Sequence, residues 1–413
     1  MTRGDLSDKK VLALVSGGLD STTIVHWLSQ AGVDVTAVTI DLGQPDEDDL
    51  ESIPSRMKAA GASQALLVDG KERLAQYMLQ TIQGQAWHEG MYWNTTGIAR
   101  MASVAAALPA IRDLGIEIVT HGATGRGNDQ ARFEIALAAL APETRVYAPW
   151  RDAEFIDALG GRSLMIDYCE ANSLPVSATR EKPYSTDANF CGLTHEAGKL
   201  ESLSTPTDFV SFVMGCSPMD APDKTERVSI RFEMGAPVQV NGEPTGLVKA
   251  YETLNEIAGR NGVGIGLDVV ENRRIGIKSR GVYEAPGVTL LGYAYGKLLQ
   301  LILDRNSRKF FDIVSRQMAD AVYEGEWFTP HAASLIGVTE GIARFATGEI
   351  AVRLYKGNIR FDSAADAPHS LYDEEGSSME KIGELSHEWA QGYMELADYT
   401  ARGFAHSGQA RKP

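Results

Sequence analysis

The spacing of apolar and polar positions changes character near residue 175. Before it, short apolar runs alternate with amphipathic stretches. "VLALV" (11–15) runs into Ser-Gly-Gly and then a helical pattern through Ile24, Trp27 and Leu28. "VDVTAVTI" (33–40) and "SQALLVDG" (63–70) read as strands. "DLESIPSRMKAAG" (49–61), closed by Gly61, and "KERLAQYMLQTIQ" (71–83) read as helices. A long helical pattern follows over about 96–113, then a strand in "IEIVTHG" (116–122) and a glycine-rich turn. The helix "NDQARFEIALAAL" (128–140) and a last strand in "RVYAP" (145–149) complete the series. Alternating β and α segments predict an α/β fold with a doubly wound parallel sheet covered on both faces. Ligands of such sheets bind beyond the carboxyl ends of the strands.

Beyond 175 the alternation stops. Residues 202–225, rich in Pro, Ser, Thr and Asp, read as a connection. "RVSIRFEMGAPVQVNGEP" (227–244) has period two and an Asn-Gly turn signal. "LVKAYETLNEIAGRNG" (247–262) reads as a helix ending at glycine, with further helices at about 288–304, 309–324 and 331–346. "EIAVRLYKGNIRF" (349–361) reads as a hairpin with a Gly-Asn turn. The expected organisation is a first domain over 1–175, a second, α+β domain over 176–377 and a helical tail over 378–413. That tail sets Ile382, Leu385, Trp389, Tyr393 and Leu396 at helical spacing.

Composition narrows the function. With 413 residues, 44% hydrophobic and 23% charged, the chain is an ordinary globular one. Its 39 Lys and Arg against 55 Asp and Glu give a net charge of −16, which disfavours nucleic acid as a partner. Cys169, Cys191 and Cys216 form no paired framework and fit a reduced, cytoplasmic setting. The polar opening "MTRGDLSDKK" carries no signal-peptide core, and no 18-residue apolar run suggests a membrane span.

Two loops carry the candidate chemistry. "SGGLDST" (16–22) joins a predicted strand to a helix. Its glycines let the backbone turn N–H groups toward one point, and Ser16, Ser21 and Thr22 add hydroxyls to the helix's positive end. That set suits an anion such as pyrophosphate; the plain alternative is a capped strand–helix corner. "THGATGRGNDQARFE" (120–134) makes a second such junction, offering Thr124, Asn128, Asp129 and Arg132. An amino-acid zwitterion needs this mixture: arginine for its carboxylate, aspartate for its ammonium. Helix capping and a surface ion pair would explain the same residues. Two further polar clusters, 182–201 with Ser185, Asp187, Thr194 and Glu196, and 271–287 with Glu271, Lys278, Arg280 and Tyr283, follow. The last also reads as a solvated charged face. No Walker P-loop, dinucleotide fingerprint or HExxH metal motif is present.

At this point the chain resembles the argininosuccinate synthase family over nearly its whole length. "SGGLDST" is similar to the pyrophosphate loop shared by N-type ATP pyrophosphatases. "DLGQPDED", "YWNTTGIAR", "HGATGRGNDQARFE", "APWR", "YSTDANFCGLTHEAGKLE" and "VENRRIGIKSRGVYEAPG" follow in the family's order and spacing. The resemblance implies a ligase of arginine biosynthesis that joins citrulline to aspartate through citrullyl-AMP, with ATP and Mg²⁺ as cofactors and no covalent nucleophile on the enzyme. It implies ATP and pyrophosphate contacts from Ser16, Gly17, Gly18, Leu19, Asp20, Ser21, Thr22, Ile40, Gly122 and Asp187. Thr124, Asn128 and Asp129 would bind aspartate. Tyr92, Asn128, Arg132, Ser185, Thr194, Glu196, Glu271 and Tyr283 would bind citrulline. No protein metal ligand is implied, Mg²⁺ arriving with ATP. The family is a homotetramer whose C-terminal helix reaches onto neighbours, a role the tail fits; packing on its own chain is the alternative.

Some positions depart from the family pattern. "DST" stands for the usual "DTS", Ile40-Asp41 for Ala-Asn, Gly97 for Ser or Pro, and Asn261 for His. Gly97 and Ile40 leave open a paralogue acting on another ureido or amine substrate. A non-catalytic sensor and a nucleic-acid-modifying pyrophosphatase are the more distant readings.

Overall fold

The computed structural model describes residues 1–125, 127–175, 184–378 and 386–412. The first half comprises β1 (Lys10–Leu14), α1 (Leu19–Ser29), β2 (Asp34–Asp41), α2 (Ile53–Ala59), β3 (Gln64–Asp69), α3 (Lys71–Gln83) and α4 (Thr95–Asp113). It continues with β4 (Ile118–His121), α5 (Asn128–Leu140), β5 (Arg145–Tyr147), α6 (Ala153–Leu159) and α7 (Arg162–Ala171). Its five strands form one parallel sheet in the order β3–β2–β1–β4–β5. The continuous apolar runs follow from burial on both faces. Val11, Ala13, Val35, Ala37 and Ile118 pack into one hydrophobic cluster, whereas Leu12, Val38 and Val119 pack into another. Strand order reverses between β1 and β4, so the loops leaving these two strands flank a single crevice.

The second half runs β6 (Ser185–Asn189), β7 (Gly192–Glu196), β8 (Glu226–Glu233), β9 (Ala236–Val240), β10 (Glu243–Pro244), α8 (Leu247–Arg260), β11 (Leu267–Asn272) and β12 (Lys278–Glu284). Then come α9 (Pro286–Ile302), α10 (Arg305–Glu324), α11 (Pro330–Ala343), β13 (Gly348–Tyr355), β14 (Asn358–Ala365) and α12 (His387–His406). Two antiparallel sheets result, ordered β10–β9–β8–β13–β14 and β11–β12–β7–β6. One hydrophobic cluster runs through both halves, from Leu12 and Val38 to Ile230, Leu291 and Val352.

The predicted Asn241-Gly242 turn is present, both residues having positive φ (52° and 84°). The second hairpin turns one residue earlier than expected, on Lys356-Gly357 (φ 44° and 79°), and Asn358 already pairs with Tyr355. A tight hairpin needs two left-handed residues, with glycine best suited to the second place. The stretch 49–61 divides into a 3₁₀ turn (Leu50–Ser52) and α2. Helices α6 and α7, and the sheet containing β6, β7, β11 and β12, are additions to the sequence reading. Helix α12 buries none of its residues against the described part of its own chain. Trp389, Tyr393 and Leu396 are all exposed; Ile382 and Leu385 lie outside the described residues.

Trp93 is fully packed just before α4, on the segment that presents Tyr92. Gly292 of α9 makes room for its indole: an added Cβ would lie 2.2 Å from Trp93 Cζ2. Gly292→Ala is expected to destabilise the protein by about 1–3 kcal/mol, read as a lower denaturation midpoint at unchanged slope.

Candidate active site

The loop after β1 is shaped as an anion cradle. Gly17 has φ +80°, and a Cβ there would come 2.9 Å from Ile53 Cγ1. The Ser16 N–H donates to Ser21 Oγ at 3.0 Å, and the two serine hydroxyls lie 3.3 Å apart. Thr22 turns its hydroxyl back onto the Gly18 carbonyl (3.0 Å). Gly18 caps α1 without any side chain, leaving the first N–H groups of the helix directed at the crevice. Leu19 is in the core. A Cβ on Gly122, in the loop after β4, would lie 3.6 Å from Asp20 Cβ, so the two predicted loops sit side by side. Ile40 is buried near the end of β2, its carbonyl accepting from Gln44 Nε2.

Across the crevice, α5 begins at Asn128 and carries Asp129 and Arg132 one turn apart. Asp129 accepts from Arg132 Nη1 at 2.8 Å and from Arg100 Nε, on α4, at 3.0 Å. Burial works against the Asp129 carboxylate, but the two guanidinium charges outweigh it and hold the carboxyl below its ordinary range. Arg100 also bonds Asp187 of β6. One guanidinium therefore joins a predicted aspartate contact to a predicted nucleotide contact, across both halves of the chain. Thr124 is exposed at the rim of the loop.

Strand register explains how the second half brings so many of the predicted site residues together. In the β11–β12–β7–β6 sheet, Ser185 pairs with Glu196, and Glu196 with Gly281. Asp187 pairs with Thr194, Thr194 with Tyr283, and Glu271 with Ser279. Directly opposed residues share a face, so Ser185, Asp187, Thr194, Glu196, Glu271 and Tyr283 all project to the same side. The alternate positions take other work. His195 and Glu284 form a buried pair (2.6 Å), and Glu284 also accepts the N–H groups of Val213 and Met214. Arg280 binds Asp268 and two backbone carbonyls, while exposed Lys278 donates to Asn272. The 271–287 cluster is thus divided between the face that carries the predicted site residues and the opposite, framework face.

The first half meets this face through α4 and the segment before it. Thr96 and Thr194 hydroxyls lie 2.7 Å apart, the Tyr92 ring stacks on Tyr283 with centroids 4.0 Å apart, and Tyr92 Oη accepts the Thr96 N–H. Burial pushes the Tyr92 phenol up. The C-terminal turn of α10 closes the third side. The Tyr323 carbonyl accepts Arg132 Nε (2.9 Å), the Glu324 carbonyl accepts Arg274 Nη1 (2.8 Å), and the Arg274 N–H donates to Asn128 Oδ1 (2.9 Å). Arg273 lies 3.6 Å from Glu196. Among the described residues no group of three or more His, Cys, Asp or Glu side chains is gathered to hold a metal.

Residues 9–175 match the family model described as "Arginosuccinate synthase N-terminal HUP domain", and residues 184–404 match "Arginosuccinate synthase C-terminal domain". The chain belongs to the argininosuccinate synthase family. A protein named argininosuccinate synthase from Rhodopirellula baltica is 42% identical over 95% of this chain and 97% of its own length. Those from Shewanella woodyi and Thermotoga petrophila are 40% and 38% identical, over 95% and 94% of this chain and 96% and 95% of their own.

Within this member of the argininosuccinate synthase family, the departures fall in different places. Gly97 is in the first turn of α4, where a Cβ would meet the Arg132 guanidinium and the Val322 carbonyl, each at 3.4 Å. Asn261 is buried and binds Glu226 and the Ile257 carbonyl, closing α8 away from the site. Cys191 is fully buried and burial pushes its thiol well up, so it is no reactive thiolate. Sequence reasoning assigned no role to Arg100, Arg273, Arg274 or Tyr323. Arg100 had one available signal: it is a cation in the apolar, alanine-rich body of α4, whose other cation, Arg112, lies in the last turn.

Glu271 is 8% exposed, and burial pushes its carboxyl up, opposed by the Tyr323 hydroxyl and the Arg132 charge. A carboxyl raised in the folded state favours folding below its unfolded value and loses that contribution as pH rises through the folded one. Glu271→Gln is therefore expected to raise the melting temperature of the ligand-free enzyme more at pH 8 than at pH 5, as scanning calorimetry at the two pH values would show.

Proposed function

We propose that this site performs the family reaction, joining citrulline and aspartate at the expense of ATP. The ureido oxygen of citrulline attacks the α-phosphorus, and the bond to pyrophosphate breaks. The aspartate amine then attacks the ureido carbon of citrullyl-AMP, the C–O bond to AMP breaks, and the amine proton is lost as argininosuccinate forms. No enzyme nucleophile enters either step, so the protein's task is positioning and electrostatics.

The single observation that carries this reading is the convergence of three predicted subsites on Asp129, Arg132 and Asp187, joined through Arg100. The 16–22 loop and the α1 N-terminus are suited to the pyrophosphate portion of ATP, with Gly122 and Asp187 beside the nucleotide. Mg²⁺ would accompany the phosphates and neutralise charge on them. Asp129, with Thr124 and Asn128, is assigned to aspartate. Tyr92, Arg132, Ser185, Thr194, Glu196, Glu271 and Tyr283 are assigned to citrulline, with Asn128 shared.

The bare apolar positions of α12 support a homotetramer in which this helix packs on a neighbouring copy. No helix among the described residues is long and apolar enough to cross a membrane; with three free cysteines, a cytoplasmic site of action fits. Domain limits at 1–175, 176–377 and 378–413 are part of the same proposal.

The direct test is release of AMP and pyrophosphate from MgATP with citrulline and aspartate omitted in turn, the product confirmed by mass. Turnover should require both; turnover with neither, or only with a different ureido compound, would overturn the assignment. Asp129→Ala is expected to raise the aspartate KM about 100-fold, the scale of losing a charged hydrogen bond. Ending the chain at Ser378 is expected to lower the oligomer's mass in light scattering, with no loss of the parallel-sheet core.

A further inference from the structure

We infer that Tyr323, in the last turn of α10, is a positioning residue of the citrulline subsite, its hydroxyl fixing Glu271 while its carbonyl fixes Arg132. The inference rests on the proposed citrulline-binding role of those two residues. Tyr323 is 3% exposed, and its Oη lies 2.5 Å from Glu271 Oε2. With a carboxylate as acceptor, the phenol is the donor. Its main-chain oxygen accepts Arg132 Nε at 2.9 Å, and the Arg132 guanidinium carbon lies 5.1 Å from the Tyr323 ring centroid.

The helix end explains why this residue can act on both. The last carbonyls of an α-helix have no partner within it. Here the cap N–H groups close onto Ala321 and Val322, leaving the Tyr323 and Glu324 oxygens free for arginines. Gly325 ends α10 at φ +85°, where a Cβ would sit 2.7 Å from Arg132 Cα, so the helix end is clamped directly onto α5. The ring cannot swing away. His88 stacks on it with centroids 3.8 Å apart and planes within 5° of parallel. His88 also lines a cavity of about 600 Å³. Burial holds the His88 imidazole below its ordinary range.

Simple core packing is the competing explanation, and it fails to require the hydroxyl. Glu271 is faced by Tyr323 from α10, Arg132 from α5, Glu196 from β7 and Arg273 from the turn after β11. Tyr323 and the arginines favour its ionised form; burial and Glu196 oppose it. Removing the Tyr323 donor must therefore move the Glu271 titration to higher pH.

The test compares wild type, Tyr323→Phe, Glu271→Gln and the double variant, in kcat/KM for citrulline across pH, with the ATP KM as control. Tyr323→Phe keeps the ring, the stack and the carbonyl. It is expected to lower kcat/KM for citrulline about tenfold, the scale of one hydrogen bond to a charged group. It should also shift the acidic limb to higher pH and leave the ATP KM unchanged. The double variant should be no worse than Glu271→Gln. An unchanged citrulline KM and acidic limb, or losses that multiply in the double variant, would overturn the inference. If Tyr323→Phe does not fold, His88→Leu serves: it should raise the citrulline KM, with rescue by His88→Phe, and a wild-type value would overturn the inference. Wild type that turns over without citrulline removes the underlying reading; citrulline-dependent wild type with an indifferent Tyr323→Phe removes only the role of Tyr323.

Discussion

A guanidinium buried in the centre of the molecule constrains everything around it. Arg132 is 5% exposed, and an unpaired charge at such a place costs several kcal/mol. It is tolerated because Asp129 meets Nη1 and the Tyr323 carbonyl meets Nε. Those partners come from α5 itself and from the end of α10, elements far apart in sequence. Arg100 then shares Asp129 and carries the network to Asp187. Satisfying one charge thus joins the parallel-sheet half, the antiparallel sheet and the α-helical part of the second half. Gly325 is small for the same reason: a Cβ there would lie 2.7 Å from Arg132 Cα.

The antiparallel sheet solves a second problem, that of presenting many polar side chains without leaving them stranded. Period-two alternation gives each strand one row for the site and one for support. His195, between Thr194 and Glu196, turns away from the site and pairs with Glu284, which in turn holds the backbone of Val213 and Met214. The connection at 202–225 is therefore tied beneath the site by the same strands that form its surface. Arg280 does likewise through Asp268 and the carbonyls of Ser202 and Thr205.

How much of this was readable depended on whether a residue's neighbours were local. Strands β1, β2 and β4 stood out because burial on both faces leaves continuous apolar runs, and helices α3 to α5 because they are long. The loops at 16–22 and 120–134 stood out because an anion site at a helix N-terminus is made from consecutive residues. Strands β6 and β12 did not, since "STDAN" and "KSRGVYE" spend their alternation on polar partners rather than on an apolar face. In the 271–287 cluster, sequence placed Glu271, Lys278, Arg280 and Tyr283 together, and only register separates the first and last from the middle two. Tyr323 reads as an ordinary core aromatic of an amphipathic helix. Its chemistry exists only through a helix terminus folded onto α5. The resemblance to a family supplied the roles of residues that composition and periodicity left ambiguous.

The charges within the site fit the substrates assigned to it. The chain carries a net charge of −16, yet Asp129, Asp187, Glu196 and Glu271 are met locally by Arg100, Arg132 and Arg273. A site balanced in this way can admit a zwitterion by exchanging partners. An ammonium in place of a guanidinium at one carboxylate, with the ligand's carboxylate on that guanidinium, would leave no buried charge alone. ATP has no such symmetry and brings a large negative charge. Its proposed cradle accordingly lies outside the arginine–carboxylate network, where backbone N–H groups and the α1 dipole supply the complement. Arg100 stands between the two regimes, bound to one carboxylate of each. Asp129 and Asp187 therefore share one guanidinium, and a shift of that side chain alters the field at both carboxylates.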